Sequence, residues 1–221
     1  ARPNLPVHIC GSHGGTHTGT DGSSAQSIED LAIYRTLPNM TVMHPCDDVS
    51  AAELTRQCLD LTGPSYMRTA RNKTRVLHED RIEEIKIGKG VVLRDGSDVC
   101  IIACGVLVAK ALEAAEKLAG DGIDAGVVDM HTLKPLDGDL INRMASSTGC
   151  IVSAEDHSII GGLGGAIAEH LSANHPVPLE RVGVKDRFGE SGQAEEMLDL
   201  LGLNTGDIIE AAHKAISRKS K

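Results

Sequence analysis

Apolar and polar positions switch between two periods along this chain. Val7 to Cys10 form a short apolar run that reads as a strand, and a glycine-rich stretch follows. Ile28, Leu31 and Ala32 then recur at helical intervals until Pro38 stops them. Ser23 and Gln26 have the S-x-x-Q spacing of a capping box, so a helix is predicted to start at Ser23. "MTVMHP" predicts a second strand, and "DDVSAAELTRQCLDLTG" a second helix capped by Asp47 or Asp48. "SYMRTAR" predicts a third strand that carries Arg68 and Arg71 to its end. Strand, helix, strand, helix, strand implies parallel pairing.

The charged, irregular stretch "NKTRVLHEDRIEEIKIGK" suits a linker, placed at residues 76–89. Beyond it the alternation resumes with "DVCIIAC", a helix from Val106 to Ala119, "DAGVVDM" and a helix after Asp137. "GCIVSAED", a helix after "GGLGG", "VPLERVGV" and two short helices complete it. The expected fold is α/β: two mostly parallel three-layer α/β/α domains, residues 1–75 and 90–221, the first truncated. The chain opens without methionine and runs almost at once into an apolar strand, which predicts a piece of a longer polypeptide.

Composition narrows the function classes. A net charge of −9 argues against a nucleic-acid surface. The longest apolar stretch, "VCIIACGVLVAKAL", is interrupted by glycine and lysine and is too short to span a bilayer. Cys10, Cys46, Cys58, Cys100, Cys104 and Cys150 lie scattered with no CxxC pair, which predicts reduced thiols in a cytoplasmic protein. Phe188 is the sole Phe and Trp is absent, so the core must be aliphatic.

The chemistry concentrates in "HICGSHGGTHTGTDGSSAQSIED". A glycine run marks backbone that turns sharply or approaches something closely, here read as a sugar phosphate. The loop follows a parallel strand, and open α/β sheets collect ligands at the carboxyl ends of their strands, so His13, Asp21 and Arg71 are expected to converge on one crevice. Arginine presents a rigid fork of donors to a phosphate, and His13 can add a charge-assisted hydrogen bond. Other readings stay open: Arg71 as a surface ion pair, Asp21 as a cap for the helix expected at Ser23 or as an acceptor for a polyol, His17 as a solvated loop residue. "GGLGG" before "AIAEHL" reads either as a phosphate site at a helix N-terminus or as tight helix packing. No nucleophilic triad and no metal-ligand spacing is legible, so carbanion chemistry would need a cofactor to hold the electrons.

"GSHGGTHTGTDGSSAQSIEDLAIYRTLPNMTVMHPCDD" resembles the transketolase motif of the pyrimidine-binding domain, H-x(7)-D-G-x-S/T, and "YMRTAR" matches the strand ending in that family's phosphate-binding arginine. "VDMHTLKPLD", "SAEDHSIIGGLGGAIAEHL" and "KDRFGESGQAEEMLDLLGL" resemble the transketolase C-terminal domain. The resemblance implies that His13 and Arg71 bind the sugar phosphate and that Asp21 accepts a hydroxyl next to the reacting carbon. Ala25 stands where many members carry His and some Gln, which leaves the substrate range open.

It further implies a transferase that moves a two-carbon ketol unit with thiamine diphosphate and Mg2+ or Ca2+. The metal-gripping domain, the glutamate and the aromatic residues of that cofactor site have no counterpart in this sequence. The implied protein is the C-terminal part of a split transketolase, inactive alone, with a separate N-terminal polypeptide as partner and homodimer contacts. Alternatives are a deoxyxylulose-phosphate synthase-like or 2-oxoacid dehydrogenase beta-like thiamine enzyme fragment, or a non-catalytic dimerisation module.

Overall fold

The computed structural model describes residues 1–219 and contains two sheets with helices on their faces. In the first half, β1 (His8–Ser12), β2 (Thr41–Met43) and β3 (Ser65–Thr69) lie in the order β1-β3-β2, all parallel. Between them run α1 (Asp30–Thr36) and α2 (Asp48–Cys58). The second half forms a five-stranded sheet, β4-β6-β5-β8-β9, from β4 (Val91–Arg94), β5 (Val99–Ala103), β6 (Ala125–Asp129), β8 (Ile151–Ser158) and β9 (Leu179–Val184). Only β4 in that sheet is antiparallel. Helices α3 (Leu107–Gly120), α4 (Gly138–Thr148), α5 (Leu163–Asn174), α6 (Ala194–Leu201) and α7 (Thr205–Ser217) cover it. None of the described helices is long and apolar enough to cross a membrane.

The sheet positions follow from patterning. β5 and β6 are buried at every residue, as strands covered by helices on both faces must be. On α3, Leu107, Val108, Ala111, Ala114, Ala115 and Leu118 form one apolar stripe that packs on the sheet. Asp47 caps α2 as expected: its carboxylate accepts from Ser50 N at 2.8 Å, and Ser50 Oγ accepts from Asp47 N.

Four features depart from the sequence reading. The first helix begins at Asp30, not Ser23; Gln26 is instead buried and turned toward the second half of the chain, its Nε2 donating to the carbonyls of Gly19 (3.2 Å) and Glu190 (2.9 Å). With no helix at Ser23, Asp21 has none to cap there. The linker is anchored rather than solvated: the amides of Leu77 and His78 donate to Asp47 Oδ2, and Gln57 bridges Ile85 and Ile87. Finally β7 (Thr132–Lys134), from the second half, joins the first sheet antiparallel to β2, where Val42 pairs with Lys134.

At the other end of that sheet, β1 is an edge strand whose residues are exposed except for the half-buried Gly11. Amide exchange is therefore expected to be faster in residues 8–12 than in β5 and β6, which are buried inside their sheet. Equal protection of β1 and β5 in native-state exchange would contradict this ordering.

Candidate functional site

The site is built where β1 and β3 end. Ser12 pairs with Thr69, so the chain leaves both strands side by side, His13 from one and Ala70–Arg71 from the other. Arg71 reaches across to the loop after β1: its Nε lies 3.0 Å from Asp21 Oδ2, both side chains being about one-third exposed. The structure thus brings two of the three expected residues into contact. His13 stands on the same loop, exposed, with its Nδ1 3.0 Å from Ser12 Oγ rather than on Arg71 or Asp21. Its φ of 64° lies in the left-handed region, a conformation of order 1–3 kcal/mol above the ordinary ones for a non-glycine residue. Thr18 Oγ1, donating to the His13 carbonyl at 2.5 Å, holds it there.

The loop between them is clamped from the second half of the chain. The Asp156 carboxylate accepts from Thr16 N (2.8 Å), Thr16 Oγ1 (2.7 Å) and His17 N (2.9 Å). Arg68 does not join Arg71. It is fully buried, with Nη1 3.2 Å from Asp30 Oδ1, and Nη2 donating to the Asp156 carbonyl while lying 3.9 Å from Asp156 Oδ2. Burial opposes its charge, but Asp30 and Asp156 prevail and hold the guanidinium above its ordinary pKa.

Gly15 shows what the bareness of the loop serves. A Cβ there would sit 2.1 Å from Arg68 Nη2 and 2.3 Å from Asp156 Oδ2, and its φ is +83°. The close approach is therefore made to this internal ion cluster.

His17 is buried, not solvated; its Nε2 lies 3.7 Å from Glu195 and its Nδ1 has no partner. The N-terminus of α5, beside "GGLGG", is filled by Glu155, which accepts from Leu163 N (2.7 Å) and Gly164 N (2.8 Å). That end is satisfied internally, so the packing reading of the motif holds. Ala25 is exposed on a shallow cavity of about 460 Å3 that Phe188 also lines.

Three buried histidines carry a pH consequence. Burial pulls His17, His44 and His131 below the ordinary histidine pKa, against Asp156 and Glu195 at His17 and Asp129 at His131, while Arg68 and His157 push His44 further down. The unfolded chain takes up protons below about pH 6.5 that the folded chain refuses, so each site costs up to about 1.4 kcal/mol per pH unit on acidification. His78 works in the opposite sense: burial lowers it, but the Asp129 hydrogen bond and charge outweigh burial, so its contribution is lost as pH rises through its raised value. Buried Glu155, held above the usual carboxylate range by desolvation, acts in the same sense as His78 but at lower pH, so the three histidines dominate and the urea midpoint is expected to fall between about pH 7 and pH 5.5. An unchanged or higher midpoint would show that the three histidines are not neutral in the fold.

A second polar cluster escaped the sequence reading. Cys46, His78 and Asp129 meet behind a cavity of about 410 Å3 that Cys46 and Asp47 line together with Thr69, Ala70 and Asn72. Residues so far apart in the chain carry no spacing signal. They are also the chain's candidate metal-ligating group among the described residues.

Comparison with known proteins bears on the reading of the site. A family model for the transketolase pyrimidine-binding domain matches residues 1–76, and one for the transketolase C-terminal domain matches residues 88–208. The 6-deoxy-6-sulfo-D-fructose transketolase subunit SqwH of Clostridium sp. (strain MSTE9) is 43% identical over 220 residues, covering 100% of this chain and 68% of that protein. The 1-deoxy-D-xylulose-5-phosphate synthase 1 of Geobacter sulfurreducens is 36% identical, covering 98% of this chain and 34% of that one. Among solved structures, a split gene transketolase described as an inactive beta4 tetramer superposes with a TM-score of 0.93 at 43% identity, covering 100% of this chain and 70% of the other. The chain therefore spans about two-thirds of the split relatives and one-third of the synthase.

Proposed function

The chain belongs to the transketolase family, and from that membership we propose that it is the C-terminal part of a split, thiamine diphosphate-dependent enzyme transferring a two-carbon ketol unit from a ketose phosphate to an aldose phosphate. Its share of the work is substrate recognition by His13, Asp21 and Arg71. The observation that supports this most directly is the Arg71–Asp21 pair at 3.0 Å, where the loop after β1 meets the end of β3.

That pair is suited to exchange. An exposed ion pair is worth only about 0–1 kcal/mol, so an incoming dianion competes with it easily. Asp21 engages Nε, leaving the two Nη groups of the guanidinium to fork onto a phosphate. Asp21 then turns its oxygens to a sugar hydroxyl, and His13 donates to the phosphate from the adjacent strand end. Gripping the substrate far from the reacting bond orients it, which is where recognition contributes to rate.

The cofactor, when bound, supplies the electron sink for the two-carbon carbanion. Its site is expected to draw on residues outside this chain. Tyr34 and Tyr66 stack on each other at 3.9 Å, and the Tyr66 hydroxyl donates to Asp30 at 2.6 Å, so one face of each ring is already taken within the chain. Phe188 stands alone and exposed. In this reading the cofactor and its Mg2+ or Ca2+ are held with an N-terminal polypeptide in a cytoplasmic assembly of carbohydrate metabolism such as the pentose phosphate pathway, with contacts between copies of the chain.

Ala25 supports a second substrate class. A side chain this small, on the cavity beside Phe188, offers no donor to a substrate hydroxyl. A sulfonated ketose of the kind named for the Clostridium relative would keep an anion for Arg71. The test is reconstitution. The chain alone is expected to turn over neither xylulose 5-phosphate with ribose 5-phosphate nor the sulfonated ketose. An N-terminal partner, mixed with a version of the chain carrying the upstream residues of its relatives, is expected to transfer two carbons from one of them. Turnover by this chain alone, or none by the assembly, would overturn the proposal.

A further inference from the structure

Cys46 follows β2, His78 lies in the segment joining the two halves, and Asp129 ends β6. His78 Nε2 is 2.8 Å from Asp129 Oδ2, and Cys46 Sγ is 3.4 Å from the same oxygen. All three donor atoms lie within 4.8 Å of one another, and all three residues are buried. As a purely internal hydrogen-bonded cluster this arrangement is incomplete. Asp129 Oδ1, the second oxygen of the shared carboxylate, has no partner, and neither has His78 Nδ1. Buried carboxylate oxygens are ordinarily paired, so an Oδ1 without a partner on a carboxylate whose Oδ2 is already shared by a thiol and an imidazole points to a cation held by that carboxylate.

We propose that Cys46, His78 and Asp129 bind one divalent transition-metal ion of the Zn2+ class. Ligand distances of about 2.3 Å to sulfur and about 2.0–2.2 Å to nitrogen and oxygen place neighbouring donors roughly 3.3–3.6 Å apart around a tetrahedral ion. The Cys46–Asp129 separation of 3.4 Å already meets this, and the His78–Asp129 separation of 2.8 Å has to open by about half an ångström. A mixed sulfur, nitrogen and oxygen set suits Zn2+ or Co2+ and discriminates against Mg2+ and Ca2+, which prefer oxygen alone.

The charges also balance. On binding, the Cys46 thiol gives up its proton to solvent, and thiolate plus carboxylate neutralise the dication, so no net charge is left buried. Of the three ligands Cys46 lines the neighbouring cavity, so the sulfur is the side from which an ion and a water ligand would enter. Bound there, the ion ties the joining segment, through His78, to the end of β6. The proposal does not depend on the transfer reaction.

The probe is Co2+, titrated into the metal-stripped 221-residue chain carrying Cys10→Ser to remove the exposed thiol. One equivalent is expected to bind with a thiolate-to-cobalt charge-transfer band and the ligand-field bands of a four-coordinate ion, and Zn2+ to displace it. Cys46→Ser is expected to abolish the charge-transfer band and His78→Gln to weaken Co2+ binding at least tenfold, whereas Cys58→Ser leaves both unchanged. X-ray absorption of the same Cys10→Ser chain loaded with one equivalent of Zn2+ needs no ligand variant and is expected to show one sulfur with nitrogen and oxygen neighbours. A shell without sulfur, no saturable one-equivalent binding, or a full band in Cys46→Ser would overturn the proposal.

Discussion

Replacing Arg68 with methionine is expected to destabilise the chain by about 3–5 kcal/mol, because it strands the Asp30 and Asp156 carboxylates in the interior without their cation. Against a typical total of about 5–15 kcal/mol this is a large share. The loss reaches beyond the pair, since Asp156 also holds the amides of Thr16 and His17, and Gly15 is packed against the guanidinium. Arg68→Lys keeps the charge but not the fork, and should recover only part of the loss. Denaturant midpoints for the three proteins, at constant slope, measure it. A cost below about 1 kcal/mol for Arg68→Met would mean that the cluster is hydrated and that Arg68 contributes little more than an exposed pair.

The second large effect concerns recognition. In the reconstituted enzyme, Arg71→Ala is expected to raise KM for phosphorylated or sulfonated sugars about ten- to hundredfold, the equivalent of a charge-assisted contact of roughly 1.5–3 kcal/mol. Ketoses with neither a phosphate nor a sulfonate should be little affected, because they have no anion to lose. Stability should change by less than about 1 kcal/mol, since the pair with Asp21 is exposed. Equal weakening of both substrate classes would make Arg71 a partner of Asp21 alone.

Arg68 and Arg71 also show how far the sequence could be read. Both were visible at the end of one strand, three residues apart, yet one is wholly buried and the other lines the candidate site. The strand expected to carry both ends at Thr69, so Arg71 lies in the chain that leaves it, and what makes Arg68 internal is Asp156, which lies far along the chain and gave no local signal. The same distance hid the reason for Gly15 and the burial of His17. Local signals did better: Asp47 announced α2 through a cap that needs only Ser50, and β5 and β6 were legible because strands covered on both faces are largely apolar, whereas β8 begins with Ile151 and Val152 and then buries Ser153, Glu155 and Asp156. Ser23 and Gln26 carried an equally local signal that failed, because Gln26 is buried against Glu190, far along the chain, and its Nε2 is held there. β7 was missed because three residues carry too little pattern.

That short strand bears on how the polypeptide behaves when cut. β7 extends the sheet of the first half, and beside it Lys134 Nζ donates to the carbonyls of Arg35 (3.0 Å) and Leu37 (2.6 Å). Arg35 in turn is bound to Glu169, and Thr16 to Asp156. A protease that nicks the exposed stretch at Arg75 and Val76 therefore severs one covalent connection across a seam that stays closed. The two pieces should migrate together on a sizing column under native conditions and separate only in denaturant, so the halves of this chain are neighbours by strand exchange as much as by tether.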